Sequence, residues 1–180
     1  MKVLVLVGSL RDDSVNRRLA DAAISHLPAG AQAVIWNGIA ELPHYSEELD
    51  GADAPARVQQ LRDAVASADA LILVTPEYNG SLPGSLKNAI DWLSRPRGSA
   101  AIAGKPVAVL AASGSPRGAQ WAREDAVRIL KVAGAAPLES TVGVPIAHQV
   151  LVDGVVADAA VDAEIAALVA QLSDLPVVAA

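Results

Sequence analysis

Apolar and polar positions along the chain follow two alternating patterns. Val3 to Val7 is an unbroken apolar run that stops at Gly8, and similar runs occupy Ala70 to Val74 and Val107 to Ala111. Runs of this length and purity predict strands buried on both faces, as parallel strands are. Ala33 to Trp36 and Leu138 to Ser140 are weaker strand candidates. Between them, apolar residues recur at helical spacing over Ser14 to His26, Ala56 to Ser67, Pro83 to Leu93, Ala119 to Val132 and Ala159 to Leu172. Alternation of strand and helix predicts an α/β fold: a doubly wound, five-stranded parallel sheet with helices on both faces, because parallel strands need right-handed helical crossovers. Of the common orders, 2-1-3-4-5 suits five strands and brings the loops after Val7 and Val74 side by side at the switch point. No repeat or linker interrupts the chain, so residues 1–180 are expected to form a single domain, with Gly38 to Pro55 as one long internal loop.

The first of those loops, GSLRDDSVNR from Gly8 to Arg17, gathers Ser9, Arg11, Ser14 and Asn16 at a helix N-terminus. Free backbone N–H groups and the helix dipole already favour an anion there, so hydroxyl, guanidinium and amide donors point to a phosphate. A helix cap accounts for Ser14, with Asp12 and Asp13 adding favourable charge, but leaves Ser9, Arg11 and Asn16 unexplained. Asp13 stands where a nucleoside-triphosphate loop opening at Gly8 needs glycine, and the GxGxxG spacing of dinucleotide folds is absent. The second loop lies in TPEYNGSLPGSLKNAIDW, where Pro76 ends a strand and Pro83 opens a helix with Leu82, Leu86, Ile90 and Leu93 as its buried stripe. Asn79-Gly80 suits the positive φ angles of a tight turn, giving a stiff loop fit to border a planar ligand. A plain turn with Tyr78 packed on a neighbouring helix or subunit is the alternative.

Composition narrows the function. A formal net charge of −6, a pI near 4.9 and no run of Lys or Arg argue against nucleic acid and anionic membrane surfaces as partners, leaving small molecules or proteins. Without cysteine there is no disulfide, thiolate metal site or thiol nucleophile, and redox chemistry must come from a cofactor. The apolar run before Gly8 is too short for a signal-peptide core or a membrane span, so a cytoplasmic protein is expected. His26, His44 and His148 show no metal-ligand spacing, and GxSxG is absent, which argues against metal binding and hydrolysis. Arg95 and Arg97 sit in a polar loop open to a cofactor phosphate, a second subunit or solvent. Trp121 fits a subunit interface or burial against the sheet, and the terminal LPVVAA a docking or fraying segment.

Together the two loops closely resemble the NAD(P)H-dependent FMN reductase family, which includes bacterial quinone, azo-dye and chromate reductases, and the likeness runs over nearly the whole chain. It implies a flavodoxin-like fold, non-covalent FMN, NAD(P)H as co-substrate and a homodimer or homotetramer. The implied activity is ping-pong transfer of hydride from NAD(P)H through FMN to quinones, azo compounds, metal oxyanions or free flavin, with no catalytic side chain beyond the cofactor. Ser9, Arg11, Ser14, Val15 and Asn16 would then contact the FMN phosphate and ribityl chain, and Pro76, Glu77, Tyr78, Asn79 and Gly80 the ring. Ser113 and Gly114 after the fourth strand supply a third contact, although Ser115, Pro116, Arg117 and Gly118 depart from the family's usual glycine pair followed by a small and a basic residue. A flavodoxin-like electron carrier without NAD(P)H oxidation is the competing reading.

Overall fold

The computed structural model describes residues 1–51, 54–152 and 155–174. The terminal LPVVAA segment lies outside the described residues. Strands β1 (Lys2–Val7), β2 (Gln32–Ile35), β3 (Ala70–Thr75), β4 (Pro106–Ala112) and β5 (Ala136–Val144) form a parallel sheet in the order β2-β1-β3-β4-β5. This is the flavodoxin-like order expected from the strand count. The three apolar runs are its central strands, and β3 and β4 are buried at every residue. The weaker signals belong to the edges: β2 alternates between exposed and half-buried residues, and most of β5 is only partly covered. The β4–β5 ladder also shifts register opposite Val107 and Val109, at the 138–140 fragment itself.

Helices α1 (Val15–Ser25) and α6 (Ala159–Ser173) cover one face of the sheet, where Val3, Val5 and Val7 meet Leu19, Ile165 and Leu168. On the other face Leu4 and Leu6 meet α2 (Ala56–Ala66), α3 (Gly84–Leu93) and α4 (Gln120–Val132). Adjacent residues of β1 thus feed opposite cores, which is why its apolar run has no polar break. A short helix α5 (Ala147–Val150) and a two-stranded ribbon, β6 (Leu151–Val152) with β7 (Val155–Val156), connect β5 to α6 and were not anticipated from the sequence.

Residues 38–51 contain two short 3₁₀ turns and are fastened to α2 and α3. The Pro43 carbonyl accepts bonds from Trp92 Nε1 at 2.8 Å and Asn88 Nδ2 at 2.9 Å, and Tyr45 packs edge-on against the buried Trp92 ring at 4.9 Å. Asp50, with a side chain only 3% exposed, pairs with Arg62 at 2.7 Å and Arg95 at 2.6 Å. Arg95 first, and then Arg62, holds the Asp50 carboxyl below the usual carboxylate range against the opposing effect of burial. Arg95 is therefore a fastening for the long loop, and Arg97 stays exposed.

Candidate functional site

The site lies where the C-terminal ends of β1, β3 and β4 meet. Val7 pairs with Val74, Thr75 with Ala111, and the Gly8 amide continues the ladder to the Val74 carbonyl at 2.8 Å, so three strand-to-helix loops emerge side by side. The loop after β1 leads into α1 through Ser14, a buried N-cap whose Oγ accepts from Asn16 N at 3.2 Å. The Ser14 hydroxyl hydrogen has no protein acceptor among the described residues, and neither do the main-chain amides of Ser9, Leu10 and Asp12 to Val15. Arg11 is exposed with an unpaired side chain among the described residues, while Asp13 is held by Arg18. A cluster of uncommitted donors around the N-terminus of α1 is what a phosphate requires, so the loop fits the anion end of a mononucleotide.

Asn16 does something else. Its side chain, buried with 2% exposure, donates to the Ala112 carbonyl at 3.0 Å and accepts from the Ala112 amide at 2.9 Å. The amide oxygen and one amide N–H are thus committed to the last residue of β4, and the main-chain N–H to Ser14, so Asn16 braces the first loop against the third, a role beyond the FMN contact expected of it. Spacing alone could not separate the two roles, because an amide serves either equally well. Val15 is half-buried against the α1–α6 core and offers only its main chain.

The loop after β3 is held in one shape. Tyr78 and Ser81 exchange main-chain hydrogen bonds of 3.0 and 3.1 Å around Asn79 (φ 52°) and Gly80 (φ 77°), a two-residue reversal with both central residues left-handed, as the Asn-Gly pair foretold. Its stiffness is reinforced from α4. Glu77 Oε2 accepts from the Ala122 amide at 3.1 Å in the first turn of that helix, and Ser81 Oγ donates to Asp125 at 2.6 Å. The Ser81 hydroxyl, and then Arg128, keeps the Asp125 carboxyl below its ordinary value. The Glu77 carboxylate therefore faces α4, leaving the exposed Tyr78 and Asn79 side chains and the loop's main chain to border a ligand. Neither acid's role was visible in sequence, since Asp125 and Ala122 lie far from the loop along the chain.

The third loop starts at Ser113, whose amide bonds Val144 O at 3.1 Å and whose carbonyl accepts from Ala147 at 2.9 Å. Ser113 Oγ engages Ser115 within the loop, Gly114 is exposed, and beyond them Arg117 stacks over Trp121 at 4.7 Å. A cavity of about 510 Å³ opens on the β2 side of the first loop, lined by Ser9, Arg11, Trp36 and Asn37 among others, but by no residue of 76–80 or 113–114. The open cavity thus shares Ser9 to Asp12 with the donor cluster but extends away from the second and third loops. Among the described residues, no three His, Cys, Asp or Glu side chains group as a metal ion requires. His26 bonds Asp162 at 2.7 Å, and His44 and His148 are exposed. No helix among the described residues is long and apolar enough to cross a membrane.

The model of the family described as NADPH-dependent FMN reductase matches residues 1–149. The chain belongs to this family. A protein named 2-hydroxy-1,4-benzoquinone reductase from a Burkholderia species is 45% identical over 113 residues, 63% of this chain and 61% of the relative. A quinone reductase from Pseudomonas putida is 46% identical over 111 residues, 62% of this chain and 59% of the relative. The chain therefore spans about three fifths of the length of these two relatives. Among solved structures, FerB, a flavoenzyme NAD(P)H:(acceptor) oxidoreductase from Paracoccus denitrificans, superposes with a TM-score of 0.81 at 33% identity, over 96% of this chain and 97% of its own.

Proposed function

We propose that this chain is an FMN-dependent NAD(P)H oxidoreductase that reduces quinones or similar small acceptors, with residues 1–180 acting as one domain. The observation that carries the reading is the set of uncommitted donors around the buried Ser14 at the start of α1, joined by the Asn16 brace to the end of β4, where the third loop begins. Family membership supports it, as do the quinone-reducing and NAD(P)H-oxidising activities in the names of the relatives.

Ser9, Arg11, Ser14 and the amides through Val15 would hold the FMN phosphate, and Asn16 would fix their position. Pro76 to Gly80 would border the ring and Ser113 and Gly114 its far side. Bound FMN supplies hydride acceptance from NAD(P)H and onward delivery of the electrons. The net change is NAD(P)H + H⁺ + quinone giving NAD(P)⁺ + hydroquinone. What the protein contributes is placement: main-chain amides fixed by the Asn79-Gly80 reversal and by α4 need little reorganisation when negative charge develops beside them. No side-chain acid or base is required by this geometry. Assembly as a homodimer or homotetramer is part of the proposal, supported by Val132, 84% exposed at the end of α4 beside a groove that Ile90 and Ile129 help to line.

Anaerobic addition of NADH or NADPH to the purified, FMN-loaded protein tests the reading. Rapid loss of the flavin's visible absorbance, with parallel initial-rate lines when a quinone is varied, is the expected result. Persistent absorbance with both nucleotides identifies an electron carrier instead, and failure to take up FMN removes the proposal altogether.

A further inference from the structure

Trp121 stands in the first turn of α4, half exposed, with Cε3 3.4 Å from the position a Cβ on Gly80 would occupy. It therefore lines the edge of the ring-side loop at Gly80. The Arg117 guanidinium lies over the indole at 4.7 Å, and among the described residues it has no carboxylate partner. Stacking on an indole leaves the in-plane N–H fork of a guanidinium free to bond an anion.

The neighbouring acids are already engaged. Glu77 accepts from Ala122, Asp125 from Ser81 and Arg128, and Glu124 from Gln120. Two residues beyond Trp121 along α4, Arg123 donates to Gly118 O and Thr141 Oγ1, towards β5; burial lowers its pKa against the opposing pull of Glu124, Glu164 and Glu77, and an arginine stays charged. Arg117 is thus an exposed guanidinium without a carboxylate partner, among the described residues, beside the candidate ring site.

We propose that Arg117 and Trp121 determine acceptor specificity: the site takes aromatic acceptors bearing an anionic substituent, with the acceptor ring against Trp121 and the anionic oxygen on Arg117. This inference rests on the quinone-reductase reading.

The probes are 2-hydroxy-1,4-naphthoquinone, anionic at neutral pH, and 1,4-naphthoquinone, a neutral acceptor with the same ring system. With FMN-loaded protein, Arg117→Ala is expected to lower the ratio of kcat/KM for the anionic over the neutral quinone by about tenfold, about 1.4 kcal/mol. Arg117→Lys should restore part of that ratio. Added salt should depress the ratio in the wild type and leave it unmoved in Arg117→Ala. Trp121→Leu should lower kcat/KM for both quinones, because both rings lose the same surface. An unmoved ratio in Arg117→Ala overturns the inference while leaving the functional reading intact, as does a loss that falls on NADPH relative to NADH. A wild type that bleaches with NAD(P)H but reduces neither quinone overturns both.

Discussion

Replacing Asn16 tests the brace between the loops. Asn16→Ala removes the two hydrogen bonds to Ala112, of 2.9 and 3.0 Å, from a position with 2% exposure. The amide and carbonyl of Ala112 are both left unsatisfied at roughly 1–3 kcal/mol each, so the loss should be about 3 kcal/mol. In a chain of this size that lowers Tm by roughly 6–12 °C. Asn16→Asp sharpens the test. Its carboxylate can still accept from the Ala112 amide, but the second oxygen faces the Ala112 carbonyl, and burial together with that repulsion raises its native pKa above the unfolded value of about 3.9. Protonation then favours the folded state, because the carboxylic acid donates where the amide did. The deficit relative to wild type should be full at pH 8 and shrink as pH falls through the raised native value. Thermal denaturation followed by circular dichroism at pH 5 and pH 8 reads the effect, and FMN titration should show weaker binding wherever the brace is lost. An Asp variant as stable as wild type at pH 8, or one with a deficit independent of pH, refutes the reasoning.

Further expectations follow from the same geometry. Arg11→Ala, at an exposed and unpaired position, should leave Tm nearly unchanged but weaken FMN binding by tenfold or more, since a charge-assisted bond contributes about 1.5–3 kcal/mol; equal affinity in a fluorescence titration would remove Arg11 from the phosphate site. Gly80→Ala places a Cβ at φ 77° and 3.4 Å from Trp121, so a destabilisation of about 1 kcal/mol is expected in urea unfolding. Gly143→Ala should be more damaging, because a Cβ there would stand 2.4 Å from the Gly118 carbonyl oxygen and 2.6 Å from Arg123 Nε; a Tm within a degree of wild type would show that the third loop yields freely. Asp50→Asn removes the partner of two arginines and should lower stability at pH 7 by about 2–3 kcal/mol. Because the native Asp50 pKa is depressed, its contribution is complete above roughly pH 4 and lost as pH falls through the lower native value, so the variant's deficit should shrink in acid.

The central strands were legible because burial on both faces leaves nothing polar in Val3 to Val7 or Ala70 to Val74. The helices were legible from their apolar stripes, Leu86, Ile90 and Leu93 among them. The edges were harder: β2 and β5 face solvent along much of their length and carry a mixed pattern that loops share. In the candidate site, the Asn79-Gly80 reversal could be read locally, because left-handed geometry selects those residues. Contacts between distant segments could not. The bonds of Asn16 to Ala112 are one such contact, and the ion pair of Arg95 with Asp50 is another; in sequence Arg95 stood open to a cofactor phosphate, a second subunit or solvent. Trp121, open in sequence to an interface or burial against the sheet, stands half exposed beside Gly80.

The clasp of Asp50 with Arg62 and Arg95 holds a long loop that a secreted protein of this size could tie with a disulfide. The chain has no cysteine and a single methionine, so neither this fastening nor anything around the crevice depends on sulfur. Quinones are electrophiles that alkylate thiolates, and reduced flavins and hydroquinones exposed to air generate peroxide. Under the proposed quinone-reducing activity the chain has no thiol to be arylated or over-oxidised, and its loop fastening has no reduction potential to be matched to its surroundings.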